Sequence, residues 1–200
     1  DKHVCTTLGL YGIDTDGGMA EYTAIPADQL IELPDNVSDK LGAFIEPIAV
    51  TVHALRETGF VPGENALVFG CGTIGLCLAL TLRQFGARQI LLAETDEARS
   101  SLARTMGFEV INPATEDLMG KVAEYTDGNG FDRVYDCAGV QPVADVLLDC
   151  VRVKGQILIV ASYKKPALLP LFKGMAKELS IDFTRVYRLE DFAIAAQIAE

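Results

Sequence analysis

The chain has 200 residues, of which 50% are hydrophobic and 22% charged, and its formal net charge is −11 at pH 7. This composition is typical of a globular protein and excludes disordered and fibrous classes. The excess negative charge argues against binding to nucleic acids or anionic membranes, because both require a cationic surface. The longest apolar runs are strand-length, far below the roughly 20 residues of a membrane-spanning helix.

The first part of the chain has few regular patterns. Residues 17–25 predict a loop that enters a strand, and Ser38 is the expected cap of a helical region that breaks at Pro47 and continues to about Thr58. Too few residues precede this helix to bury a core of their own. We therefore expect residues 1–45 to be the remnant of a neighbouring domain and residues 46–200 to form a second domain.

After about residue 60, short apolar runs alternate with helical patterns, which indicates βαβ units and a parallel sheet. Several runs are apolar at consecutive positions, as expected for strands covered by helices on both faces. Six strands with right-handed crossovers make a doubly wound α/β sheet of the Rossmann type. The predicted strands are residues 66–69, 90–94, 109–111, 133–137, 156–161 and 179–184.

The helices between these strands are predicted from apolar stripes at helical spacing and from glycine, Asn-Pro and Asp-Gly punctuation. Thr95 is the expected N-cap of the second of these helices, which Gly107 should end. The other predicted helices are residues 74–85, 114–125, 141–153 and 190–199.

A glycine-rich turn with the spacing GxGxxG follows the first predicted strand and opens the first of these helices. Gly70 permits a tight turn, Gly72 allows the backbone to approach a diphosphate, and Gly75 allows the helix to pack closely on the strand. The helix begins at Thr73 and Ile74, and its unpaired N–H groups and positive dipole end favour an anion. In this strand–turn–helix context the motif predicts a dinucleotide-binding site.

An acidic residue, Glu94, ends the second predicted strand. It can accept hydrogen bonds from the adenosine ribose and repels a 2′-phosphate, which favours NAD over NADP. Arg99 could meet such a phosphate, but we prefer stacking near the adenine or an exposed helix face. Ala138, Val160 and Ala161 end further strands and should line the same crevice, leaving room for the nicotinamide ribose and ring. A glycine-rich turn that binds no dinucleotide is the less favoured interpretation.

The five cysteines form neither a CxxC pair nor a zinc-ribbon spacing. Four of them lie in apolar segments, where a free thiol packs as a small hydrophobic side chain: Cys71, Cys77, Cys137 and Cys150. We therefore expect reduced thiols and a cytoplasmic protein.

Seven segments, in order along nearly the whole chain, resemble zinc-dependent medium-chain dehydrogenases, particularly the polyol branch that includes sorbitol, butanediol and threonine dehydrogenases. The resemblance implies hydride transfer between NAD(H) and a secondary alcohol or polyol, and a GroES-like β catalytic domain to which residues 1–45 would belong. The segments are GGMAEY at 17–22, LPD at 33–35, FIEPIAV at 44–50, HA at 53–54, GCGTIG at 70–75, FD at 131–132 and YRLEDF at 187–192.

The resemblance also implies metal positions. Glu46, in the Glu-Pro motif, would approach the catalytic zinc directly or through a water, and Cys5 would be the remnant of a structural zinc site. Taken alone, Glu46 is better explained as a carboxylate at a helix N-terminus, and His53 is expected to pack near the domain junction. In the intact enzyme zinc would bind the substrate hydroxyl and lower its pKa. The family's cysteine ligand and Gly-His-Glu motif are missing, so we expect this chain alone to bind cofactor without turnover.

Two other functions remain open from the sequence: a dinucleotide-binding regulatory module without catalysis, and a zinc-free medium-chain enone reductase. The Glu-Pro motif and Cys5 argue against the reductase. Relatives of this type commonly pair their last Rossmann strands across a two-fold axis. An apolar edge strand requires a partner, so we predict a homodimer formed through residues 179–184.

Overall fold

The computed structural model describes residues 2–199, so that Asp1 and Glu200, the outer ends of the two predicted domains, lie outside the described residues. Six parallel strands form one sheet in the order β3-β2-β1-β4-β5-β6. The strand order reverses between β1 and β4, which is the doubly wound Rossmann arrangement and confirms the predicted fold class. The strands are β1 Asn65–Phe69, β2 Gln89–Ala93, β3 Glu109–Ile111, β4 Phe131–Asp136, β5 Val151–Ile159 and β6 Ser180–Phe183.

Helices cover both faces of this sheet and bury its consecutive apolar residues. Residues of α5, α6 and α7 pack on one face, and residues of α2, α3 and α4 pack on the other. The helices are α1 Asp39–Gly42, α2 Ile45–Glu57, α3 Thr73–Gln84, α4 Glu97–Thr105, α5 Leu118–Thr126, α6 Gln141–Ala144, α7 Leu147–Cys150, α8 Leu171–Lys177 and α9 Leu189–Ile198. No helix in the described part of the chain is both long and apolar enough to cross a membrane.

Three predicted helix boundaries are wrong. Asp96, and not Thr95, caps α4, because its carboxylate accepts a hydrogen bond from the Arg99 N–H at 2.9 Å. Helix α5 begins at Leu118 instead of residue 114, since the Asp117 carboxylate caps it and residues 112–116 form a separate turn. The helix predicted over residues 141–153 is two short helices that end where the buried, β-branched Val151 begins β5.

The segment before the sheet departs further from the predictions. Ser38 caps α1 as expected, but the helical break lies at residues 43–44; Pro47 sits in the first turn of α2, where its missing N–H is tolerated. No β-strand occurs in residues 2–45, so the strand predicted to follow the loop at residues 17–25 is wrong. An extended segment becomes a strand only when a neighbouring strand pairs with it. The division into two domains at residue 45 stays a prediction.

Helix α9 packs on α2 and joins the end of the chain to the Rossmann core. Ala195 of α9 contributes to an apolar cluster with Ile45 and Val52 of α2. Beside this cluster the buried His53 Nδ1 lies 2.8 Å from the Asp191 carboxylate. His53 therefore lies between α2 and α9, and its predicted place near a domain junction stays a prediction.

Candidate cofactor site

The glycine turn joins β1 to α3, and at each of its three positions glycine is favoured for a different steric reason. Gly70 has a φ of 95°, a left-handed conformation that other residues rarely adopt. A Cβ added to Gly75 would lie 1.8 Å from the Gly70 carbonyl oxygen, so only glycine lets α3 pack this closely. A Cβ added to Gly72 would meet no atom within 4 Å. The turn is therefore closed on its protein side at Gly75 and open toward solvent at Gly72.

The N-terminus of α3 has the properties of an anion site. The helix runs for 12 residues from Thr73, and its N-cap, Gly72, provides no side-chain cap for the first N–H groups. Ile74 follows in the same first turn. Unpaired N–H groups and the positive end of the helix dipole stabilise a negative group placed there.

Glu94 follows β2 and is tied to the glycine turn. One carboxylate oxygen accepts a hydrogen bond from the Cys71 N–H at 2.7 Å, and the other accepts from the N–H groups of Thr95 and Asp96 at 2.7 and 2.9 Å. Burial raises the pKa of Glu94, but these backbone N–H donors and the nearby Arg99 charge outweigh burial and hold the pKa below its usual range. Glu94 is thus an ionised carboxylate, and three of its roughly four acceptor positions are filled, leaving room for one hydroxyl.

A cleft of about 610 Å³ opens along the carboxyl ends of β1, β2 and β4. It lies at the point where the strand order reverses, where open α/β sheets bind their ligands. Its polar side includes Gly70, Gly72, Glu94 and the exposed Arg99. Its other side is largely apolar and suits a flat aromatic base; the residues there are Pro113, Leu118, Met119, Val140, Pro142, Val143 and Val146.

The other predicted strand-end residues lie beside this cleft. Ala138 lines it and packs against Gly70, because a Cβ on Gly70 would lie 3.4 Å from the Ala138 Cβ. Val160 and Ala161 follow β5, one strand further along, and both donate their N–H groups to the Asp136 carbonyl oxygen. The structure therefore brings Ala138, Val160 and Ala161 to adjacent loops at one edge of the sheet.

Sequence reasoning missed two features of this edge: a buried carboxylate with its tyrosine partner, and a turn. The fully buried Asp136 ends β4, and its carboxylate accepts hydrogen bonds from Ala138 and Gly139 and from the Tyr163 hydroxyl. The available signal was an aspartate at the end of an apolar strand, directly before a turn. Residues of the turn at 112–116 and the α5 cap Asp117, most of which were predicted as helix, also line the cleft.

Glu46 and Cys5 were predicted for two different zinc sites of the intact enzyme, and within residues 2–199 neither belongs to a group of three possible metal ligands. Glu46 is exposed in the first turn of α2, beside Tyr187; burial, and then the Glu46 carboxylate, raise the pKa of Tyr187 to about 12. Cys5 is an exposed free thiol whose Sγ lies 3.2 Å from the Thr7 hydroxyl. Within residues 2–199, no three His, Cys, Asp or Glu side chains come together to hold a metal. A catalytic zinc takes about three protein ligands, so the described residues alone do not fit one.

A parallel Rossmann sheet, an open glycine turn and an acidic residue bonded to that turn define the class of dinucleotide-binding α/β domains. Comparison with known proteins agrees with this class. The family model described as zinc-binding dehydrogenase matches residues 73–200. The chain belongs to this family.

Relatives of known activity resemble nearly the whole chain. The 2-dehydro-3-deoxy-L-galactonate 5-dehydrogenase of Pseudoalteromonas atlantica is 32% identical over 98% of the chain and 57% of the relative. In the crystal structure of 2R,3R-butanediol dehydrogenase from Bacillus subtilis, the matching chain is 29% identical with a TM-score of 0.91. The match covers 98% of this chain and 56% of that enzyme.

A second structure, a zinc-binding dehydrogenase from Sinorhizobium meliloti bound to NADP, is 26% identical with a TM-score of 0.89; the match covers 98% of this chain and 59% of that protein. The chain therefore spans somewhat more than half the length of these relatives.

Proposed function

We propose that this chain is the NAD(H)-binding portion of a zinc-dependent oxidoreductase that interconverts a secondary alcohol or polyol and its ketone. The observation that carries the proposal is the bond between the ionised Glu94 carboxylate and the glycine turn through the Cys71 N–H. This bond fixes a ribose acceptor relative to the anion site at the start of α3. A Rossmann dinucleotide site combines both features: the diphosphate at a helix N-terminus and an acidic residue for the ribose.

The described residues fit such a cofactor, and each has a distinct task. The N–H groups at Thr73 and Ile74 would bind the diphosphate, and the open space at Gly72 would let it approach the backbone. Glu94 would accept a hydrogen bond from an adenosine ribose hydroxyl. The apolar side of the cleft would hold the adenine, and the loops at Ala138 and at residues 160–161 would border the nicotinamide half. The bound nicotinamide supplies the hydride chemistry.

The substrate class is supported by the relatives. One acts on 2-dehydro-3-deoxy-L-galactonate at position 5, and another on 2R,3R-butanediol, so both names describe a secondary alcohol with neighbouring oxygen. We extend this class, and no single alcohol, to the whole enzyme. The zinc implied by the family would need ligands besides Glu46, since residues 2–199 hold no group of three.

The cofactor preference distinguishes this proposal from a general nucleotide site. Glu94 is ionised and buried, so a 2′-phosphate beside it would be repelled. Arg99 lines the same cleft and could attract a 2′-phosphate, and a similar protein is bound to NADP. The relative affinity for NADH and NADPH therefore tests the proposed preference. We expect calorimetric titration at matched salt to show NADH binding at least about tenfold tighter than NADPH, a difference of about 1.4 kcal/mol.

The matched variants are Glu94→Ala and Glu64→Ala, since Glu64 is a carboxylate at the opposite end of the sheet. Glu94→Ala should narrow the difference between NADH and NADPH, and Glu64→Ala should preserve it. Absence of binding by either cofactor to the folded chain would overturn the proposal. Tighter binding of NADPH than of NADH would overturn the NAD preference while leaving dinucleotide binding intact.

We also propose a homodimer in the cytoplasm. Strand β6 is the edge of the sheet, and large apolar side chains are exposed on it and on α8: Phe183 is 75% exposed and Phe172 is 76% exposed. An edge strand of this kind is a pairing surface. The five cysteines are all free thiols, which suits a reducing compartment. Light scattering at micromolar concentration should give a dimer that Phe183→Glu dissociates; a monomeric wild type would contradict the dimer.

A further inference from the structure

Asp136 occupies a central position at the carboxyl edge of the sheet. It ends β4, which lies between β1 and β5, and its partners in the sheet are Phe69 and Ile159. Its backbone carbonyl accepts hydrogen bonds from the N–H groups of both Val160 and Ala161, at 3.0 and 2.9 Å. The backbone of Asp136 therefore already joins the end of β4 to the loop after β5.

The side chain of Asp136 completes this connection. One carboxylate oxygen accepts from the N–H groups of Ala138 and Gly139, at 2.9 and 3.0 Å, which shapes the loop after β4. The other accepts from the hydroxyl of Tyr163, 27 residues further along, at 2.6 Å. Burial, and then this bond to Asp136, raise the pKa of Tyr163, so the phenol keeps its proton and donates it to the bond.

The loop shaped in this way is tightly held between its neighbours. On one side, a Cβ added to Gly70 would lie 3.3 Å from the backbone carbonyl carbon of Cys137. On the other side a Cβ on Gly139 would lie 2.9 Å from the Ala161 Cβ. A change in the loop after β4 would therefore move against the glycine turn or against the loop after β5.

We propose that the Asp136–Tyr163 pair is a positioning element that sets the nicotinamide half of the cofactor site by fixing the loops after β4 and β5. The inference rests on the proposed NAD(H) binding and adds to it two residues that do not themselves touch the adenosine half. The adenosine half depends on Glu94 and the glycine turn, whose hydrogen bonds do not involve the pair. The bond from Tyr163 to Asp136 holds the loop after β5, which does not line the cleft at Glu94, so losing this bond frees the nicotinamide side while the other Asp136 oxygen still holds the loop after β4.

Two ligands distinguish the adenosine half of the site from the nicotinamide half: NADH contains both the adenosine and the nicotinamide, whereas ADP-ribose lacks the nicotinamide. We expect Tyr163→Phe to weaken NADH binding by about tenfold, because a hydrogen bond to a charged group is lost. The same variant should bind ADP-ribose within about twofold of the wild type, a difference of about 0.4 kcal/mol. If the Tyr163 hydroxyl contributed only to the overall stability of the fold, Tyr163→Phe would not change the affinities for NADH and ADP-ribose differently in titrations run far below the unfolding temperature.

Asp136→Asn is the second variant. The asparagine side chain has only one acceptor oxygen, so it cannot serve both the N–H groups of residues 138–139 and the Tyr163 hydroxyl in the same way. It should show the same selective loss of NADH binding. The matched control is Tyr125→Phe, which removes a hydroxyl bonded to Glu109 at the start of β3, far from the loops concerned. Tyr125→Phe should leave both titrations unchanged.

The outcomes are distinct. If the wild type binds neither probe, the proposed function fails and this inference fails with it. If the wild type binds both, and the Tyr163 and Asp136 variants weaken both equally or weaken neither, the proposed function stands and the inference is overturned. Selective loss of NADH binding in both variants, without loss in Tyr125→Phe, supports it.

Discussion

The two edges of the parallel sheet use the same kinds of charged residue in different ways. At the amino edge, carboxylates pair with arginines: Glu64 with Arg133 at 2.8 Å, and Asp132 with Arg152 at 2.6 Å. At the carboxyl edge, Glu94 and Asp136 accept hydrogen bonds mainly from loop N–H groups; the Arg99 charge acts on Glu94 from nearby, without a hydrogen bond between their side chains among those of the described residues. Charges at the amino edge neutralise one another, whereas those at the carboxyl edge shape loops around an open anion site.

This contrast implies that substitutions at the carboxyl edge change cofactor binding, and that substitutions at the amino edge change stability. The difference follows from where backbone groups remain unpaired. At the amino edge the Asp132 carboxylate accepts from both the Asn65 N–H at the start of β1 and the Arg152 side chain, while the first N–H groups of α3 at the carboxyl edge have no capping side chain.

The largest effect is expected at the glycine turn. Gly72→Val should weaken NADH binding by about 100-fold, equivalent to about 2.8 kcal/mol, because the side chain fills the space that a diphosphate needs. Its φ of −69° is accessible to any residue and no atom lies in the way, so the fold should be retained apart from a small N-cap effect. Calorimetric titration measures the binding and urea unfolding measures the stability.

Gly18→Val is the matched control, because Gly18 also has open space around a new Cβ and lies in the N-terminal segment. It should change neither the binding nor the free energy of unfolding. Retention of wild-type affinity by Gly72→Val would show that the diphosphate lies elsewhere.

An intermediate effect is expected at the amino edge. Arg133 bonds to Glu64 and to the carbonyl oxygens of Thr58 and Gly59, so Arg133→Met leaves several acceptors without their donor. We expect the free energy of unfolding to fall by about 2 kcal/mol, the range for hydrogen bonds to charged groups. Urea denaturation gives this value, and NADH affinity should remain within about twofold. A loss of affinity larger than the loss of stability would break the distinction between the two edges.

The smallest effect concerns acid stability. At each edge one carboxylate, the buried Glu94 or the half-buried Asp132, has a pKa held below its ordinary value of 4.5 or 3.8; desolvation opposes this shift, and backbone N–H groups and arginines outweigh it. Each carboxylate therefore stabilises the fold above its ordinary pKa, and this contribution is lost as the pH falls through the lowered value. Unfolding measured between neutral pH and about pH 3 should show a decline that begins near pH 4.5 for the wild type.

Glu94→Gln and Asp132→Asn should each flatten that decline, Glu94→Gln from the higher pH. Only Glu94→Gln should also weaken NADH binding at neutral pH. Identical pH profiles in the wild type and both variants would show that neither carboxylate contributes to acid stability.

The elements of the sheet could be predicted because their signals are local. Consecutive apolar residues, as in β1, indicate strands covered on both faces, and the glycine spacing with Glu94 nearby indicates a nucleotide site. These features depend on steric limits and periodicity within a few residues. The rules for parallel sheets then predicted a doubly wound sheet, and the structure gives the order of its six strands.

Other features depended on contacts that a linear sequence does not display. The Asp136–Tyr163 bond joins residues on different loops, and only the pairing of β4 with β5 brings them together. The boundary at Val151 was decided by strand pairing and burial, against a helical apolar pattern. In residues 2–36 no described side chain is buried, although Tyr22 and Met19 are large and apolar. Local sequence preferences favour certain backbone conformations. Burial and long-range hydrogen bonds decide which of them forms, because they supply most of the stabilising free energy.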